Sequence, residues 1–230
     1  MVTPGLDQLF RDTRCVVVAK PSGLSVHRGW DASFDTVLRR LRGDLGAPVH
    51  PVHRLDRGTS GALLLALDPE AASALGAAFR EGHVDKEYVA LARGPLEGEV
   101  QVDRPIGGAP ATTIFSAIAL ARDRYCLVRA RPLTGRSHQI RLHLRHLRRP
   151  ILGDTTYGDG RENRKLRDEV GLCRLALHAT RIRFPHPATG EAVEVVAPLP
   201  EDLAGPFERL GLPAEELARL GAHARPEAGR

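Results

Sequence analysis

Aromatic side chains are scarce in this chain. Phe, Tyr and Trp make up 4% of its 230 residues, too few for the rows of rings with which proteins bind single strands regardless of sequence. Cys15, Cys126 and Cys173 lie far apart and form no C-x-x-C pair, so they read as free thiols in a reducing compartment. No apolar run reaches the length of a membrane span. Met1 to Arg14 holds no apolar core before a small-residue cleavage site, which argues against a signal peptide. A cytoplasmic location is expected. Neither G-x-x-x-x-G-K-[ST] nor G-x-G-x-x-G occurs, so nothing points to a nucleotide cofactor. Ser60, in Gly58-Thr59-Ser60-Gly61, is off the spacing of a nucleophile elbow. His143 and His146 stand at i, i+3, but no cysteine or carboxylate of suitable spacing completes a metal site.

Lys and Arg number 33 against 28 acids, a formal charge of +5. That is a mild bias towards polyanions. Its distribution says more. From Arg124 to Gly153 there is no acidic residue, while Arg124, Arg129, Arg131, Arg136, Arg141, Arg145, Arg148 and Arg149 fall within it. Guanidinium groups so crowded repel one another unless an anion lies over them, and a phosphate backbone is the natural counter-charge. On a helix from about His138 to Leu147, Arg141, Arg145 and Arg148 would share one face.

The stretch around which the chain is organised is His53-Arg54-Leu55-Asp56-Arg57-Gly58-Thr59-Ser60-Gly61, followed by the apolar run Ala62–Leu67. One carboxylate, Asp56, sits among His53, Arg54 and Arg57 at the mouth of a strand. That is the setting for a nucleophile or a general base, although residue types alone favour a salt-bridged turn aspartate.

The remaining pattern is of short strands with helices between them. Strands are expected at Arg14–Lys20, Ala62–Leu67, Lys86–Ala92, Thr113–Leu120 and Tyr125–Arg131. Leu175–Thr180 and Ala192–Val196 read as strand or short helix. A helix is expected over Ser33–Leu45, closed by Gly43 and Gly46, after a loop that carries Trp30. Asp68-Pro69 is an N-cap with proline at the first helical position, opening a helix that Gly82 stops. Pro95–Pro110 reads as loop. Arg161–Gly171 reads as helix, and from Pro200 the chain is helical, then frayed. The fold class is α+β with a mixed or mostly antiparallel sheet.

The nine residues His53–Gly61 resemble the H-R-L-D-x-x-T-S-G signature of the RluA-type RNA pseudouridine synthases. Companion motifs follow in order: Lys20-Pro21-Ser22-Gly23-Leu24, Lys86-Glu87-Tyr88, Thr134-Gly135-Arg136-Ser137-His138-Gln139-Ile140-Arg141-Leu142-His143, and Pro150-Ile151-Leu152-Gly153-Asp154 with Tyr157-Gly158. A finer resemblance, in Val26–Trp30, His143–Pro150, Gly158–Arg164, Leu175–Ala179 and His186–Glu191, is to the family's C-type, tRNA-modifying branch. The segment Asp103–Ala111 is shorter than in that branch.

This resemblance implies the pseudouridine synthase fold, with a central, mostly antiparallel sheet bearing an active-site cleft, and neither cofactor nor metal. It implies one catalytic domain over residues 1–230, with a core at about 14–198, a helical tail over 199–230, and no separate N-terminal RNA-binding domain. The activity implied is isomerisation of a uridine in RNA. A tRNA acceptor stem is the expected target and a ribosomal RNA stem-loop the alternative. The implied roles are Asp56 as the essential carboxylate, Arg141 paired to it, Tyr88 stacked on the uracil, and Arg54 filling the gap left by the flipped base. His53, Arg57, Lys86, Arg136, His138, Arg145 and Arg148 are expected on the RNA. A monomer is expected.

Overall fold

The apolar run after Gly61 is a strand, Ser60–Ala66, buried at every residue. Its alternation explains why. Leu63 and Leu65 join an apolar cluster with Val37, Leu38 and Leu41 of the preceding helix. Ala62, Leu64 and Ala66 face the other way, onto Ala71, Leu75 and Ala78 of the following helix. A strand covered on both faces has no polar side, so its sequence reads as a continuous apolar run.

The structure is a computed structural model that describes residues 5–27 and 35–221. In chain order the elements are β1 (Gln8–Arg11), β2 (Cys15–Lys20), α1 (Val37–Leu45), β3 (His50–Pro51), β4 (Ser60–Ala66), α2 (Pro69–Glu81), β5 (Asp85–Arg93) and β6 (Glu99–Asp103). Then come β7 (Thr112–Ala121), β8 (Tyr125–Pro132), α3 (Gln139–His146), α4 (Gly160–Val170), β9 (Leu177–Pro185), β10 (Ala192–Val196), α5 (Glu201–Leu210) and α6 (Ala214–Leu220). The strands form one ten-stranded sheet in the order β1-β2-β4-β9-β5-β8-β7-β6, with β10 beside β9 and β3 beside β4. Every pairing is antiparallel except β4 with β9, which meet in parallel at Ser60–His178 and Gly61–Ala179. The α+β class and the mostly antiparallel sheet agree with the expectation from sequence.

That short parallel contact requires Gly61. Its φ is +115°, and a Cβ there would stand 2.2 Å from the Ala179 carbonyl oxygen. Beside it, His178 is buried. Its Nε2–H donates to the Ala197 carbonyl at 3.2 Å, and its Nδ1 accepts from the Ser60 hydroxyl at 2.8 Å. Ser60 Oγ in turn accepts from Arg174 at 2.7 Å. Ser60 is thus spent on holding strands together. Burial pushes the His178 imidazole down to about 4, with the nearby Arg174 charge adding to the shift.

Several elements depart from the sequence expectation. The first helix begins at Val37, where the Thr36 hydroxyl accepts from the Arg39 N–H, and Gly46 ends it; Gly43 lies inside it. Ser33, Phe34 and the Trp30 loop lie outside the described residues. The Pro95–Pro110 segment contains β6, an edge strand whose only buried residue is Val102. Glycines and prolines on both sides obscured so short an alternation. Leu175–Thr180 resolves into β9, which starts at Leu177 and runs on to Pro185. The C-terminal helices are part of the core: Leu203, Phe207, Leu210, Leu217 and Leu220 join the main apolar cluster.

Two outcomes are expected. Gly61→Ala should lower stability in urea by more than about 1 kcal/mol, since both the φ and the close approach oppose a side chain. Acid should weaken the fold through His178. The unfolded chain binds a proton near the ordinary histidine value, whereas the folded imidazole resists until about 4. Stability should therefore be full above neutral pH and fall by about 1.4 kcal/mol per unit as pH drops across that window. His178→Gln should remove one proton's worth of that slope.

Candidate active site

Asp56 lies in the turn before β4, and two other loops hold that turn in place. Lys20, at the end of β2, is buried, and its ammonium donates to the carbonyls of Pro21 at 2.8 Å, Leu24 at 2.7 Å and Arg57 at 3.2 Å. The Ser22 hydroxyl donates to Gly58 O at 2.8 Å, the Gly23 N–H to Arg57 O at 2.8 Å, and Arg57 Nε back to Gly23 O at 2.9 Å. The Lys20–Leu24 turn is thus clasped to the backbone beside Asp56. Burial, and then repulsion from Arg174, push the Lys20 ammonium down to about 7, while Asp56 works in the opposite direction. From the other side Arg174 donates to Ser60 and is itself held by Asp202 at 3.0 Å.

The carboxylate of Asp56 is met by a residue distant in sequence. Arg141 Nη1 stands 3.3 Å from Asp56 Oδ2. The other two guanidinium nitrogens are engaged by Asp154, Nε to Oδ2 at 2.8 Å and Nη2 to Oδ1 at 2.9 Å. Burial opposes both charges of this pair. The fork outweighs it, raising Arg141 and, together with the N–H groups of Tyr157 and Thr156, holding the Asp154 carboxyl below the ordinary carboxylate range. The Tyr157 ring lies 4.8 Å from the Arg141 guanidinium carbon, within cation–π range. His138 closes the other side. It caps α3 in the left-handed conformation, with φ 57°. Its Nδ1 meets the Tyr157 hydroxyl at 2.9 Å, and its Nε2 comes within 3.9 Å of Asp56 Oδ1. Gln139 shapes the loop before it: its Oε1 accepts from Thr134 and the Arg136 N–H, and its Nε2 donates to Thr112 and Thr113.

These groups open onto a cleft of about 570 Å³. It brings together Asp56, Tyr88, Arg141, His53, Arg54, Lys86, Arg136 and His138. Arg57, Arg145 and Arg148 do not line it. Arg57 reaches back to Gly23, Arg145 lies 5.7 Å over Tyr157, and Arg148 falls beyond α3 with φ 59°. The basic face expected of Arg141, Arg145 and Arg148 therefore does not form. Nor is the acid-free window uncompensated. Glu162, Glu87 and Glu99 pair with Arg124, Arg129 and Arg131 from elsewhere in the chain. The cations next to Asp56 in sequence are not its partners in space. His53 is uncharged: burial, and then Lys86, push its imidazole down to about 3. Its Nε2 accepts the Leu64 N–H at 3.0 Å.

Sequence reasoning gave no role to Asp154, Lys20 or Tyr157. Their motifs were visible, but the fork and the clasp join segments remote from one another, and residue spacing carries no trace of that. One trio of possible metal donors occurs among the described residues: Asp12, Cys15 and His186. Its histidine is already committed. Nδ1 accepts the Ala188 and Thr189 N–H groups, so Nε2 carries the proton that it gives to Asp12 at 2.7 Å.

Asp154→Asn should break the fork. The expected result is a loss of about 3 kcal/mol in urea unfolding, the scale for leaving half of a buried ion pair, and a lower turnover although Asp56 is intact.

The chain matches the family model described as RNA pseudouridylate synthase over residues 14–146. It is 40% identical over 220 residues to tRNA pseudouridine synthase C of Pasteurella multocida, across 84% of this chain and 90% of that one. It is 37% identical to tRNA pseudouridine synthase C of Vibrio cholerae, across 90% of this chain and 96% of the other. Among solved structures, Human RNA Pseudouridylate Synthase Domain Containing 4 superposes with a TM-score of 0.73 at 26% identity, over 89% of this chain and 93% of that one. With the signature motifs assembled around a single cleft, the chain belongs to the RNA pseudouridylate synthase family.

Proposed function

We propose that this protein isomerises a uridine to pseudouridine in tRNA. The observation that carries the proposal is the Asp56 carboxylate, held 3.3 Å from a forked arginine in a cleft that Tyr88 also lines. The tRNA class is supported by the named activity of the relatives, which match along most of their length.

In the reaction the N1–C1′ bond of the uridine breaks and a C5–C1′ bond forms. The C5 proton is lost and N1 gains one, so product and substrate contain the same atoms. The base must first leave its stack, at a cost of a few kcal/mol. Asp56 acts at the ribose, as nucleophile or as base. Arg141 is its positioning residue, since the Asp154 fork leaves only Nη1 to be offered to Asp56. Tyr88 takes the face of the uracil. Burial, and then the negative charge of Asp56, push its phenol upward, so at neutral pH it is an uncharged ring and hydrogen-bond donor. That favours stacking over a standing role as base. Arg54, exposed on the cleft, takes the space the base vacates, and Lys86, Arg136 and His138 contact the RNA within the cleft. Arg57, Arg145 and Arg148 serve as outer backbone contacts. We further propose that the protein works as a monomer in the cytoplasm through one catalytic domain, which supplies Asp56, Tyr88 and Arg141 to the same cleft.

The test is tRNA transcribed without modification and incubated with the protein, with pseudouridine mapped afterwards. The wild type should convert one uridine. Asp56→Asn should form none while binding the RNA within a few-fold of the wild type. Full conversion by that variant would remove Asp56 from the mechanism.

A further inference from the structure

The proposed chemistry uses only part of the cleft. Tyr88, Lys86 and Val84 all line it, at every second position leading along β5. From Val84 to Tyr88 the extended chain covers about 13 Å. The cleft wall therefore runs on past Tyr88, the residue assigned to the target uracil.

The lining there is apolar and aromatic. Phe79, in the last turn of α2, packs in the same apolar cluster as Val84. Its ring is stacked on His53, with centroids 4.7 Å apart and planes at 26°. His53 is fixed by the Leu64 N–H and carries no charge at neutral pH. The pair is thus a preset, neutral two-ring platform, and both rings reach the cleft. Leu133, just past the end of β8, lines the cleft as well. Next to it, the Thr134 carbonyl accepts from Lys86 at 3.4 Å, and Leu133, Thr134 and Lys86 all line the cleft. Leu133 is 59% exposed, the more exposed of the two large apolar side chains left in water among the described residues. Exposed Arg54, Arg80 and Arg136 line the same cleft and suit phosphates. A flat ring stack and a bare leucine in one cleft offer a phosphate nothing, but suit the apolar faces of a nucleobase.

We propose that the part of the cleft walled by the His53–Phe79 ring pair and by Leu133 is a subsite for the base next to the target uridine. On this view the enzyme holds two splayed bases, one over Tyr88 and one between Phe79 and Leu133. The inference rests on the isomerase reading above and adds a second recognition element to it.

The experiment compares three RNAs: the intact substrate, and two in which the nucleotide on the 5′ or the 3′ side of the target lacks its base but keeps its phosphate. One abasic RNA should react about tenfold more slowly in kcat/KM, the scale of one lost stacking contact. Phe79→Ala and Leu133→Asp should each show about the same loss on intact RNA and little further loss on that abasic RNA. Phe79→Tyr should restore the rate. Leu133→Asp changes an exposed side chain, so it keeps the test decisive if Phe79→Ala does not fold. Abasic RNAs that both react like the intact one, or variant and abasic losses that multiply, overturn the subsite. Failure of the wild type to isomerise any uridine would instead count against the isomerase reading itself.

Discussion

The site depends on how one buried guanidinium is shared. Arg141 lies between two carboxylates, but unequally. Asp154 takes two of its nitrogens in a fork and fills its remaining acceptor capacity with the Thr156 and Tyr157 N–H groups. A planar guanidinium held by two parallel bonds has little freedom left, so the direction of Nη1, and hence the place of the Asp56 carboxylate, is set by Asp154. A buried ion pair is a poor source of net stability because desolvation consumes most of its attraction. What it supplies here is orientation. A lysine would deliver charge to the same place without the fork.

Positioning from one side would not be enough if the turn carrying Asp56 could move. Its backbone is accordingly gripped by groups that are otherwise costly to bury. Lys20 places an ammonium among three carbonyls, and Arg174 spans Ser60 and Asp202. The strand that follows passes β9 at a point where only glycine fits. Catalytic geometry tolerates errors of a fraction of an ångström, and these contacts give that tolerance a physical source. The same economy appears at His138, whose left-handed backbone places its ring between Tyr157 and Asp56.

Much of this was legible in the order of residues, and the part that was not has a common cause. β4, α2 with its Asp68 cap and Gly82 stop, and the β7–β8 hairpin follow from local periodicity and capping, which act over a few residues. Asp56, Tyr88 and Arg141 were identified through motif resemblance, and they line one cleft. Local reasoning failed where the partner is distant. It surrounded Asp56 with Arg54, Arg57 and His53, because these are its neighbours in the chain. In space Arg57 turns back to Gly23, His53 is neutral, and the cation that meets the carboxylate arrives from α3. It likewise treated the arginines of the acid-free window as unpaired, when their carboxylates come from β5, the start of β6 and α4.

That pairing changes how the protein can hold a polyanion. Four of the eight arginines of the acid-free window, Arg124, Arg129, Arg131 and Arg141, are thus engaged by carboxylates. Arg54, Arg80 and Arg136 stand at the cleft, each exposed and without a carboxylate partner among the described residues. On the proposed reading, discrimination comes from what enters the cleft, where an uncharged ring pair, a tyrosine and a leucine would meet a splayed base. A chain with so few aromatic side chains has both Tyr88 and Phe79 lining the cleft that holds Asp56.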